Sequence, residues 1–118
     1  MSVLNFSDML NMQKELYELN KDKWPPIQPE YGKDFFLWMM EEIGECISII
    51  KKKGCNSIVE NSNVRNLFCE EMSDVLMYYN DILLRFGITA EEISDAYIKK
   101  HNKNVNRNFS EEYKNKFE

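Results

Sequence analysis

Two short acidic motifs carry the chemistry in this chain: Glu41-Glu42-Ile43-Gly44-Glu45 and Glu70-Glu71-Met72-Ser73-Asp74. In each, the second and fifth residues are three apart. On an α-helix that spacing puts both carboxylates on one face, about 60° apart around the axis. An ExxE pair facing an ExxD pair gathers Glu42, Glu45, Glu71 and Asp74 around one space. A donor set made only of carboxylate oxygens suits a hard divalent cation, Mg²⁺ or Mn²⁺. Without a cation such groups repel one another and their pKa values rise. A third copy, Glu91-Glu92-Ile93-Ser94-Asp95, has a simpler role. It fills the first turn of a helix, where acids complement the helix dipole.

Other site chemistries are poorly served. The single histidine, His101, has no acid at ExxH spacing, which excludes a carboxylate-bridged di-iron bundle. Cys46, Cys55 and Cys69 show no CxxC spacing. They make neither a zinc site nor a disulfide framework, and they suit a reducing cytosol.

The elements that position the acids follow from punctuation and periodicity. Pro25, Pro26 and Pro29 mark a loop after Trp24. Gly54 after Lys51-Lys52-Lys53, and Gly87 after Arg85-Phe86, read as helix ends. The polar stretch 56–63 reads as a connecting loop, and no segment alternates as a strand would. Four helices result. They run from about Ser7, as N-cap, to Asp22; from Asp34 to Lys53; from Val64 to Phe86; and from the Thr89-Ala90-Glu91-Glu92 capping box to about Arg107. The second helix shows an apolar stripe at Phe36, Met40, Ile43, Ile47 and Ile50. The third shows one at Val64, Phe68, Met72, Val75, Tyr79, Ile82 and Phe86, and both are expected to form the core. The fold class expected is therefore all-α, a bundle of four to five helices in a single domain over residues 1–118, its tail from 108 on frayed.

The helical wheel sets the acids apart from solvated faces. Trp38, Glu42, Glu45 and Ile49 share one line on the second helix, and Leu67, Glu71, Asp74 and Tyr78 share one on the third. Solvated acids with surface salt bridges remain the alternative on these residues alone. Gly44, inside the second helix, fits a close approach of backbone or ligand. Lys100, Asn104 and Arg107, spaced four and three, extend the line of Ile93 and Ala96/Tyr97. They either receive a polyanion such as a polyphosphate or simply suit a helix C-terminus. Trp24 and Trp38, with Tyr31 and Phe35, form an aromatic set that can stack a nucleobase or pin the Pro-rich loop.

Composition narrows the partners. The chain has 118 residues and a net charge of -5, which argues against nonspecific binding to nucleic acid or an anionic membrane. No run of apolar residues is long enough to span a membrane, and the start lacks the pattern of a secretory signal. A cytoplasmic location is expected. So small a domain buries its surface inefficiently, which favours assembly with further chains.

At the two acidic motifs, Gly87, and Lys100…Asn104…Arg107, the chain resembles the all-α nucleoside triphosphate pyrophosphohydrolases, the MazG-like group that includes the dCTP pyrophosphatases. The resemblance spans about Trp24 to Phe109. It implies Mg²⁺-dependent hydrolysis of a nucleoside triphosphate to the monophosphate and pyrophosphate, in nucleotide-pool house-cleaning. It implies Glu42, Glu45, Glu71 and Asp74 as metal ligands, with Lys100, Asn104 and Arg107 on the triphosphate. Glu41 is the candidate base, and Trp24 and Trp38 are candidate substrate contacts. It also implies a homodimer or homotetramer. A noncatalytic helical module that binds nucleotide or metal on the same fold is the alternative. The chain departs from the family pattern at Cys46, where leucine is usual, and at Asn108-Phe109-Ser110, where a proline is missing.

Overall fold

A computed structural model describes residues 3–107, 111 and 114–116. The described residues form five α-helices and one 3₁₀ turn, with no strand: α1 Phe6–Asn20, α2 Gly32–Lys53, α3 Cys55–Glu60, α4 Ser62–Arg85 and α5 Ala90–Val105. The all-α expectation holds. The expected frayed tail falls largely outside the described residues.

Local chemistry sets the ends. Asn5, not Ser7, caps α1, and it forms a capping box with Asp8. The Pro29–Tyr31 3₁₀ turn leads directly into α2, so that helix starts at Gly32 rather than Asp34. The supposed loop at 56–63 is mostly the short helix α3. Its polar residues disguise it, but Asn61 ends it and caps α4 by accepting from the Asn63 and Val64 backbone N–H groups. The Thr89–Glu92 capping box starts α5 as expected. Gly54 and Gly87 adopt φ of 85° and 67°, left-handed backbone that ends α2 and α4.

Helices α2 and α4 make the principal packing contact and run antiparallel. Gly32 lies against Phe86, Phe35 against Tyr78, and Glu42 near Glu71 and Asp74. The close approach sits at Gly32, where an added Cβ would meet the Phe86 ring at 2.4 Å. The approach expected at Gly44 is absent, since nothing lies within 4 Å of a Cβ built there.

The expected core stripe of α2 is corrected. Phe36, Met40, Ile43, Ile47 and Ile50 are exposed, Met40 at 63% and Ile47 at 49%. The buried line is instead Gly32, Phe35, Cys46 and Ile49, beside the acids. On α4 the expected stripe is mixed: Ile82 is buried, whereas Met72, Tyr79 and Phe86 are exposed. The acid-bearing line is the one that meets the neighbouring helix, which leaves the richer apolar line facing outward. The dimensions agree. The radius of gyration is 17.6 Å, against about 13–14 Å for a compact domain of this length. The accessible surface is 9241 Å², roughly 2,500 Å² more than a compact monomer of this mass exposes.

The most deeply buried residues are polar: Arg85, Asn80 and Asp81. Arg85 and Asp81, 2% and 3% exposed, form a buried ion pair on α4 through Nε and Oδ1. Arg85 Nη1 also donates to the carbonyls of Pro25 and Pro26, at 3.1 and 2.6 Å. Its guanidinium lies 3.6 Å from the centre of the Phe35 ring. Gln13 of α1 donates to Asp81 Oδ2 at 3.3 Å. One ion pair thus ties α1, the Pro-rich loop, α2 and α4 together. Arg85→Met leaves the Asp81 carboxylate buried without its cation, and chemical denaturation should show a loss of about 3–5 kcal/mol. Arg85→Lys should not restore the loss, because an ammonium lacks the planar fork that meets all four partners.

Candidate metal centre

The centre forms where α2 crosses the middle of α4. One carboxylate oxygen from each of Glu42, Glu71 and Asp74 lies within 4.8 Å of the others, and all three side chains are half-buried. The ExxE and ExxD motifs deliver these three together. The fourth, Glu45, is exposed and stands outside the trio, though its charge still acts on Glu42.

Electrostatics mark the trio as anion-crowded. The Glu42 carboxyl is pushed above its ordinary range, first by burial and then by the charges of Asp74, Glu71 and Glu45. Cys46 lies beneath the cluster. Its thiol is pushed up by burial and by Glu71, Glu42 and Asp74, so it stays neutral and packs as a small apolar side chain. The Tyr78 phenol is likewise raised, by burial and by Glu42 and Asp74, and remains a neutral O–H beside the acids. Three convergent carboxylates with no paired lysine or arginine among the described contacts fit a hard cation, which would replace mutual repulsion with attraction.

A cleft of about 540 Å³ lies beside this centre, and Asp74 is the member of the trio that lines it. Asp74 and Glu41 line it, Phe35, Trp38, Tyr78 and Trp24 form aromatic wall, and Gln13 and Asp81 also line it. Phe35 meets Trp38 edge-on, with ring centroids 4.8 Å apart. Trp24 is brought to the cleft by the Pro-rich loop that Arg85 holds. The candidate base Glu41 and both tryptophans therefore share one cleft with Asp74.

Lys100, Asn104 and Arg107 do not line this cleft. Helix α5 packs on α1 and buries none of its residues, so the inward-facing stripe expected along it is corrected: Tyr97 is 70% exposed and Lys100 is exposed. Arg107 Nη1 donates to Asn104 Oδ1 at 3.1 Å. The sequence did not single out three polar lining groups, Gln13, Lys23 and Asp81. Asp81 and Arg85 have the i,i+4 spacing of an ordinary surface pair, and only their burial distinguishes them.

Comparison with known proteins places this geometry in a family. The family model for dATP/dGTP pyrophosphohydrolase matches residues 38–117, which includes both acidic motifs. The chain belongs to that family and is a nucleotide pyrophosphohydrolase, a hydrolase acting on acid anhydrides. No curated protein and no solved structure gives a significant match to the chain.

The raised Glu42 carboxyl has a thermodynamic consequence. Between its ordinary value of 4.5 and its raised value, the folded chain binds more protons than the unfolded chain. Metal-free stability must therefore fall as pH climbs through that window. Glu42→Gln should remove this component and raise the metal-free melting temperature near neutral pH. Thermal melts of both proteins in chelator, from below pH 4.5 to pH 7, check the difference.

Proposed function

We propose that the chain hydrolyses purine deoxynucleoside triphosphates, dATP and dGTP, to the monophosphate and pyrophosphate with Mg²⁺ or Mn²⁺ at Glu42, Glu71 and Asp74. The carrying observation is a trio of carboxylates within 4.8 Å, one of which, Asp74, lines an aromatic-walled cleft, in a member of this family. When bound, the cation supplies charge neutralisation and an acidified water. The trio holds it. Glu45 supports the trio from its exposed edge. Glu41, on the cleft wall beside Asp74, accepts the proton of the attacking water. Trp38 and Trp24 hold the nucleoside by stacking, and Lys23 offsets charge on the phosphates from the cleft wall. The Tyr78 hydroxyl, kept neutral, is a donor to the same anion. Such a reaction clears nucleotides from the pool. No helix among the described residues is long and apolar enough to cross a membrane. The three free cysteines suit a cytosolic home.

We further propose that a second copy covers the outward face of α2 and makes a homodimer or a homotetramer. The surplus of exposed surface is of the size that obligate interfaces bury, and Phe36, Met40, Ile43, Ile47 and Ile50 form a continuous apolar line along it. Lys100, Asn104 and Arg107 lie away from their own chain's cleft, so their contact with a triphosphate belongs to the assembled form.

Incubation with dATP or dGTP and Mg²⁺ should release pyrophosphate, and chelator should stop it. Glu71→Gln and Asp74→Asn should each lower kcat about 100-fold or more. Absence of pyrophosphate from any nucleotide contradicts the reading. Light scattering after size exclusion tests the assembly. Wild type should run as a dimer or tetramer, and Ile43→Asp/Ile47→Asp as a monomer.

A further inference from the structure

The cleft is polar at the end remote from the acids. Asp74 and Asp81 both line it and are seven residues apart on α4, two helical turns, so the cleft runs about 10 Å along that helix. That is the scale of a nucleotide from its α-phosphate to the edge of its base. Tyr78 lies between the two acids and Phe35 packs against it, with ring centroids 6.1 Å apart. A base that stacks on Trp24 and Trp38 of the same aromatic wall while its phosphate meets the acidic centre presents its edge to Gln13 and Asp81.

These two side chains are buried, Gln13 at 7% and Asp81 at 3% exposure, and their orientation is fixed. A carboxylate only accepts, so Gln13 must turn its Nε2 toward Asp81 Oδ2, as observed at 3.3 Å. Arg85 holds the other carboxylate oxygen. Gln13 is therefore left with Oε1 as an acceptor and one N–H as a donor, and Asp81 keeps lone pairs to spare. Adenine and guanine both carry an exocyclic amine next to ring nitrogen N1, at C6 in one and at C2 in the other. N1 accepts in adenine and donates in guanine. A mixed pair of acceptors with one donor meets both edges, whereas hypoxanthine has no amine to offer.

Resting on the proposed reaction at this cleft, we infer that Gln13, oriented by Asp81, is the specificity-determining residue that reads the exocyclic amino group of a purine base. A buried acceptor left facing an amine-free base forfeits its hydrogen bond.

Calorimetric binding to the full chain, with Ca²⁺ replacing Mg²⁺ to hold the complex, separates this inference from the catalytic reading. The probes are dATP against purine 2′-deoxyriboside triphosphate, and dGTP against dITP. Wild type should bind each amino-bearing nucleotide at least about ten-fold more tightly than its partner. Gln13→Met, of similar volume, should bind both members of each pair alike. Equal affinities within both wild-type pairs overturn the inference, even if dATP and dGTP are hydrolysed. Discrimination that survives in Gln13→Met also overturns it, and binding of no nucleotide overturns both readings.

Discussion

Three like charges held close together are the constraint on which this structure turns. The Glu42, Glu71 and Asp74 carboxylates share a half-buried space, where burial and the charges of Asp74 and Glu71 raise the cost of ionising Glu42. Helix packing has to supply the energy that keeps them there. The antiparallel contact of α2 with α4 does so, with Gly32 under Phe86 at one end and the neutral Cys46 beneath the acids. A chain free to relax would splay these side chains into water. Glu42 instead shares the inward line of Phe35 and Ile49, and the cluster it forms with Glu71 and Asp74 could hold a metal ion.

The second organising feature is the buried Arg85–Asp81 pair. It is costly to desolvate, and its value lies in what it positions. Through the carbonyls of Pro25 and Pro26 it fixes the loop that carries Trp24, and through Asp81 it orients Gln13. The acid centre and the distal end of the cleft are thus both tied to one helix, α4, with Asp74 two turns before Asp81. Helical geometry holds the proposed phosphate and base ends of the cleft at a fixed separation.

Periodicity, capping and acid spacing were legible in the sequence because each is a local property. The Thr89 capping box, the glycine ends of α2 and α4, and the pairing of Glu42 with Glu71 and Asp74 all emerge from spacing. What spacing does not encode is which apolar line of a helix faces its own chain. Helix α2 has two, and the richer one, through Met40 and Ile47, faces outward. Its strength as a hydrophobic stripe was misleading because the chain alone does not bury it. The short helix α3 was hidden by polar residues, and α5 was expected to bring Lys100, Asn104 and Arg107 to the acids but lies on α1 instead. Gln13 and Asp81 carried no visible signal, since their importance arises only from burial and from a contact between residues far apart in sequence.

Crystals grown with Mn²⁺ and measured for anomalous scattering show whether the trio binds a cation. A strong peak bounded by the carboxylates of Glu42, Glu71 and Asp74 is expected, as is its loss in Glu42→Gln crystals. Ordered carboxylates turned apart toward solvent, with no peak between them at saturating Mn²⁺, would contradict cation binding there.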